Sequence, residues 1–115
     1  AVNPRNITRM IQKSQVRGQQ GQWIDCGVVN LYHLKSLFRS HFYLNASGEG
    51  LDASEEVARV EREEGKLFLV NRNLPDLAWG DGEPVPLGRK VELRAGQHLC
   101  TSREDGMLLE IVNGA

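Results

Sequence analysis

The chain has 115 residues, 40% of them hydrophobic, 25% charged and 6% aromatic, the size and make-up of one domain with little room for a second core. Fourteen Lys and Arg against fifteen Asp and Glu leave a formal net charge of −1, which excludes a global basic footprint for nucleic acid. No apolar run approaches the roughly 18 residues needed to cross a bilayer, and the mean hydropathy of −0.41 agrees, so no membrane insertion of this piece is expected.

The sequence opens at Ala1 with neither Met nor a charged region leading into an apolar stretch, the expectation for a fragment or a processed chain. From Ala1 to Ile24 every charged side chain is basic (Arg5, Arg9, Lys13, Arg17), and Gln12 to Gln22 is rich in Gln, Gly and Ser. Such a stretch has little to bury, so residues 1–22 are expected to be a flexible N-terminal segment or linker. Ile7, Met10 and Ile11 stand at i, i+3 and i+4 behind Asn6, enough for a short amphipathic helix that needs a partner surface to persist.

From Trp23 onward, short apolar runs alternate with Gly, Asn, Asp and Pro, the spacing of an all-β antiparallel sandwich or barrel. Strands are expected at Val28 to Leu31, Phe42 to Leu44, Val57 to Glu61, Leu67 to Val70, Val91 to Leu93, His98 to Thr101 and Met107 to Val112. Glu64-Gly65 and Asp105-Gly106 read as hairpin turns. Asp52 to Glu55 also forms a plausible capping box, with Gly65 as a helix stop. A helix there has no apolar residue at Glu61 or Glu64 to extend the stripe of Val57 and Val60, so the hairpin is preferred. Val60, Leu67, Leu69, Val91, Leu93, Leu99, Leu109 and Ile111 are the expected core.

The residues that carry chemistry are sparse. Cys26 and Cys100 lie far apart without a Cys-x-x-Cys or a neighbouring His pair, so two buried free thiols are expected, and neither a metal site nor a cofactor is suggested. His33, His41 and His98 are isolated. Ser36, Ser40, Ser47, Ser54 and Ser102 lack a nucleophile-elbow setting, and neither cysteine sits in a catalytic motif, so the chain is not expected to be an enzyme. Asn6-Ile7-Thr8 and Asn45-Ala46-Ser47 match the glycosylation acceptor pattern and are read as accidental. Gly88-Arg89-Lys90 lacks the spacing of a phosphate cradle.

The most informative run is Ala58 to Leu99. Leu67-Phe68-Leu69-Val70 is followed by a loop from Asn71 to Trp79, then Asp81-Gly82-Glu83-Pro84-Val85-Pro86-Leu87-Gly88, then Val91-Glu92-Leu93, then Ala95-Gly96-Gln97. This order resembles the second half of a forkhead-associated (FHA) domain, with Gly82 and Gly88 at turns that want a positive φ. Upstream, Phe38-Arg39-Ser40 corresponds to the family's Gly-Arg-Ser step and Ser54-Glu55-Glu56-Val57-Ala58 to its Ser-Arg-x-His-Ala step. Phe38 replaces a turn Gly, Glu55 an Arg and Val57 a His, while Asp76-Leu77 stands where the family has Asn-Gly.

The resemblance implies an FHA-like sandwich over residues 23–115 whose loops at one end bind a phosphothreonine peptide through an Arg, a Ser and an Asn. It places Arg39, Ser40, Ser54, Arg72, Asn73, Asp76 and Trp79 at that end. Glu55 and Asp76 add acceptors where a phosphate dianion needs donors. A phospho-independent protein partner is therefore favoured over a phosphothreonine peptide, within a regulatory or secretion-type assembly and with a cytoplasmic location. An accessory domain that binds nucleic acid through Arg5, Arg9, Lys13 and Arg17 is the reading from another class, disfavoured because the folded part is acidic.

Overall fold

In a computed structural model, residues 8–15, 22–44, 55–102 and 106–113 are described. Among the described residues nine strands make two sheets: β1 (Thr8–Gln15), β2 (Trp23–Leu31), β3 (Ser36–Phe38), β4 (Glu56–Glu63), β5 (Lys66–Asn71), β6 (Ala78–Trp79), β7 (Lys90–Glu92), β8 (His98–Cys100) and β9 (Leu108–Asn113). The five-stranded sheet runs β2-β1-β9-β8-β6, the four-stranded sheet β3-β4-β5-β7, and every strand pair is antiparallel. None of the described helices is long and apolar enough to cross a membrane.

Alternation builds the core. Ala58 and Val60 on β4, Leu67 and Leu69 on β5, and Leu109 and Ile111 on β9 face inward, joined by Met10, Leu37, Phe42, Leu74, Leu77, Val85, Leu99 and, at the register shift between β3 and β4, Val57. Of the expected core, Val91 alone is only half-buried, packed against the cluster, because β7 is the outermost strand of its sheet. The β4–β5 hairpin forms as expected. Glu63 pairs with Lys66, and the two residues between them, Glu64 (φ 52°) and Gly65 (φ 78°), are both left-handed, as a type I′ turn requires.

Three expectations need correction. Residues 8–15 are not a linker or a helix: β1 lies inside the five-stranded sheet, paired with β2 along its length and with β9 from Thr8 to Lys13. Only Met10 is buried on this strand, so two ladders of backbone hydrogen bonds, rather than an apolar face, offset its ordering entropy. Residues 1–7 and 16–21, including Ile7, Arg5 and Arg17, lie outside the described residues.

Phe42 to Leu44 is not a strand either. Arg39–His41 forms one 3-10 turn, in which the Arg39 carbonyl accepts from the amides of Phe42 and Tyr43. That turn drives Phe42 fully into the core and leaves a single bridge, Tyr43 to Gly106. The strands β3 and β6 were not anticipated, being three and two residues long. The capping-box residues 52–54, the acceptor pattern at 45–47 and the Asp105 turn residue lie outside the described residues.

Candidate functional site

The strand directions gather the β3–β4 connection, the β5–β6 loop and the β8–β9 connection at one end of the sandwich. At its centre is Asn71, the last residue of β5 and fully buried. Its side-chain amide donates to the carbonyls of Leu74 (2.8 Å) and Val85 (2.7 Å), and its Oδ1 accepts from the Leu74 amide (2.9 Å). One side chain thus folds the start of the β5–β6 loop on itself and pins it to the segment that returns from β6. With Leu74 and Leu77 driven into the core, the intervening polar residues are held at the rim.

Two rim clusters result. In the first, Arg39 starts the 3-10 turn after β3 and its Nη2 lies 3.7 Å from Glu55 Oε2. Asn73 Nδ2 donates to Glu55 Oε1 at 2.8 Å. A single carboxylate therefore bridges the Arg and the Asn that the resemblance assigns to ligand. Arg39 Nε is buried and makes no hydrogen bond among the described residues. The turn itself is fixed by His41, whose Nδ1 accepts from the Phe38 amide at 2.9 Å and whose carbonyl accepts from Gln12 Nε2. Burial, with a smaller contribution from Lys35, lowers the His41 pKa below its ordinary 6.5, which keeps Nδ1 an acceptor.

In the second cluster, Arg72 Nε sits 3.3 Å from Glu56 Oε1. Glu56 also pairs with Arg59 at 3.3 Å and accepts from the Ser36 hydroxyl. The Ser36 hydrogen bond, opposed by burial and helped by smaller contributions from Arg59 and Arg72, holds the Glu56 carboxyl below its ordinary 4.5. Ser40 is exposed on the turn, and Ser54 lies outside the described residues.

Asp76 is occupied within the fold. Its Oδ1 accepts from the Tyr43 hydroxyl, its Oδ2 from the amide and hydroxyl of Ser102, all at 3.1 Å. The carboxylate ties the β5–β6 loop to the connections on either side of it, three acceptor bonds that a phosphate would have to contest. Trp79 is placed apart from both clusters. On β6 it pairs with Leu99 of β8, packs half-buried against the core and borders a shallow cleft with Asp81, Glu83, Gln97 and His98, further along the sheet toward the opposite end.

Residue-type reasoning named Glu55 as a departure from the family's Arg, but not as the bridge between Arg39 and Asn73. It missed Asn71, although Asn at a strand end ahead of a polar loop is a signal for side-chain-to-backbone turn bonding. Among the described residues no three His, Cys, Asp or Glu converge on a metal site. The histidines serve separate elements: His33 Nδ1 accepts from the Arg62 amide, and His98 Nε2 lies 4.0 Å from Glu110.

No family model matches the chain, and no curated protein matches it. Among solved structures, an engineered FHA with a Myc-pTBD peptide superposes with a TM-score of 0.52 at 15% sequence identity, covering 95% of this chain and 92% of that chain. The architecture expected from the Ala58 to Leu99 run, an all-β FHA-like sandwich, is the one the chain adopts. At that identity the likeness concerns the fold alone.

Proposed function

We propose that the chain is a non-catalytic protein-interaction module, part of a larger regulatory or secretion-type assembly, whose binding end is the rim built by Arg39, Ser40, Arg72 and Asn73, to which the resemblance adds Ser54, and whose ligand does not require phosphate. The observation that carries this reading is Glu55. Its carboxylate already holds Arg39 and Asn73, so an incoming phosphate must displace an internal anion from the donors it needs and then sit beside it. Like charges a few ångströms apart oppose that exchange even at a hydrated rim. Arg72 is similarly engaged by Glu56.

The chemistry of the remaining groups supports a binding role over catalysis. Cys26 Sγ touches Met107 Sδ and Cys100 Sγ the Trp79 carbonyl, so neither thiol is hydrogen-bonded to an imidazole that could activate it. Both cysteines are free, though Cys26 is exposed and Cys100 half-buried where two buried thiols were expected; free thiols fit a reducing, cytoplasmic setting. The nucleic-acid reading loses support because Lys13 is paired with Glu110 (3.1 Å) and Asp25 (3.7 Å), and Arg9 lies half-buried in β1 rather than on a free basic arm.

A second reading has its own observation. The structural neighbour holds a Myc-pTBD peptide, and Arg39 and Asn73 are already oriented toward one anion, so a phosphothreonine could take the place of the Glu55 carboxylate. Calorimetry with matched phosphorylated and unphosphorylated peptide libraries separates the two. The proposal expects no gain from phosphate in the native chain and a gain in Glu55→Gln, which removes the internal anion. Tight, phosphate-dependent binding by the native chain that Arg39→Ala abolishes would establish the second reading instead.

A further inference from the structure

The two sheets have four edges, and three of them are short: β3 and β7 have three residues each and β6 has two. The fourth edge is β2, nine residues long, and among the described residues nothing pairs with its outer side. Short edge strands, prolines and charges are the usual protections against edge-to-edge pairing. β2 contains one charge, Asp25, and no proline, and its sole irregularity is a bulge at Cys26, where Gln12 pairs with Gly27 and Lys13 with Asp25. Large apolar side chains stand exposed along and just beyond it: Trp23 at 38%, Ile24 at 56%, Val28 at 55% and Tyr32 at 54%.

We infer that β2 is a pairing edge whose occupant is the β2 strand of a second copy, joined antiparallel about a two-fold axis so that the five-stranded sheets become continuous. The strand is compatible with itself. Antiparallel pairing lays the exposed Trp23–Ile24 end of one copy beside the end of the other that carries the exposed Tyr32, apolar against apolar. It sets Asp25, already balanced by Lys13 at 3.7 Å, beside the uncharged Val29–Asn30 stretch rather than against its own counterpart. A net charge of −1 per chain adds almost no long-range repulsion. Such an isologous contact closes on two copies and leaves no further β2 edge open.

A standard stable interface buries about 1,600 Å² in total. One strand edge with four apolar side chains supplies less than that, so the dimer is expected to dissociate in the micromolar range. Sedimentation of the 115-residue chain from about 1 μM to about 1 mM, the range in which a contact of this size exchanges, tests the inference. The expected result is a shift from 12.9 kDa to twice that mass, with amide exchange slowing in Trp23–Leu31 as concentration rises. Val28→Lys, at an exposed position, should raise the dissociation constant at least tenfold, while Leu87→Lys, at an exposed residue outside the strands, should leave it unchanged. A monomer at every concentration overturns the inference, as do open-ended polymers or a dimer that forms without slower exchange in β2. Should Val28→Lys fail to fold, concentration-dependent exchange in the native chain still decides.

Discussion

Replacing Asn71 by Ala removes three hydrogen bonds at a fully buried position: two donated to the Leu74 and Val85 carbonyls and one accepted from the Leu74 amide. At about 1 kcal/mol net for each bond, the loss is about 3 kcal/mol. The Leu74 carbonyl keeps a partner in the Leu77 amide, but the Leu74 amide and the Val85 carbonyl are left with none among the described residues, adding together about 1 kcal/mol or more. The sum of about 4 kcal/mol is a large share of the roughly 5–15 kcal/mol that stabilises a domain. Urea unfolding followed by tryptophan fluorescence should show the midpoint falling with the slope unchanged.

Asn71→Asp supplies an internal check. It keeps an acceptor for the Leu74 amide but turns a carboxylate toward two carbonyls, so it should be at least as damaging at neutral pH. Protonation restores one donor, so this variant alone should gain stability relative to the native chain as the pH falls. A loss below about 1 kcal/mol in Asn71→Ala, the worth of a single ordinary bond, would show that Asn71 does not hold the loop.

Two groups set the acid sensitivity of the native rim, and the sign is the same for both. His41 has a folded pKa below 6.5 and Glu56 one below 4.5, so in each case the unfolded chain binds the proton first, and stability present above the ordinary value is lost as the pH falls through the folded one. Thermal melts should therefore weaken in two windows, the first beginning near pH 6.5 and absent in His41→Gln, the second beginning near 4.5 and reduced in Ser36→Ala. Gly65→Ala should cost about 1–2 kcal/mol in denaturant unfolding, because the position is left-handed at φ 78° while no atom beyond its two chain neighbours stands within 4 Å of the added carbon. Titration with a thiol reagent should give one fast and one slow equivalent: Cys26 is exposed, whereas burial and the Asp76 charge raise the pKa of Cys100 and lower its thiolate fraction.

The parts of the fold legible in the sequence are those in which burial alternates. The β4–β5 hairpin, β9 and most of the core follow from residues such as Val60, Leu69, Leu109 and Ile111, whose spacing admits one buried face. β1 was illegible because Thr8, Arg9, Gln12, Lys13, Ser14 and Gln15 carry no apolar period; its place is set by backbone pairing to two distant strands. Phe42 misled for the opposite reason, being an apolar residue delivered to the core by a helical turn. At the rim, the resemblance located Arg39 and Asn73 and residue types flagged Glu55 and Asp76. Which carboxylate would meet which donor depended on how the loops fold back, and that rests on Asn71, a residue whose importance comes from burial alone.

The pairing of Thr8 with Asn113, reinforced by a hydrogen bond between their side chains at 3.2 Å, sets how the domain bears load. Tension applied through the two ends of the described chain meets β1 and β9 at the same rung of an antiparallel ladder. The rungs then open one after another from that end instead of resisting together in shear. With β1 peeled away, β9 loses one flank and β2 its only strand partner among the described residues, so the five-stranded sheet yields early. The domain is therefore expected to part at low force when stretched by its ends, while a pull on its loop rim that leaves the ends slack is borne by the whole sandwich.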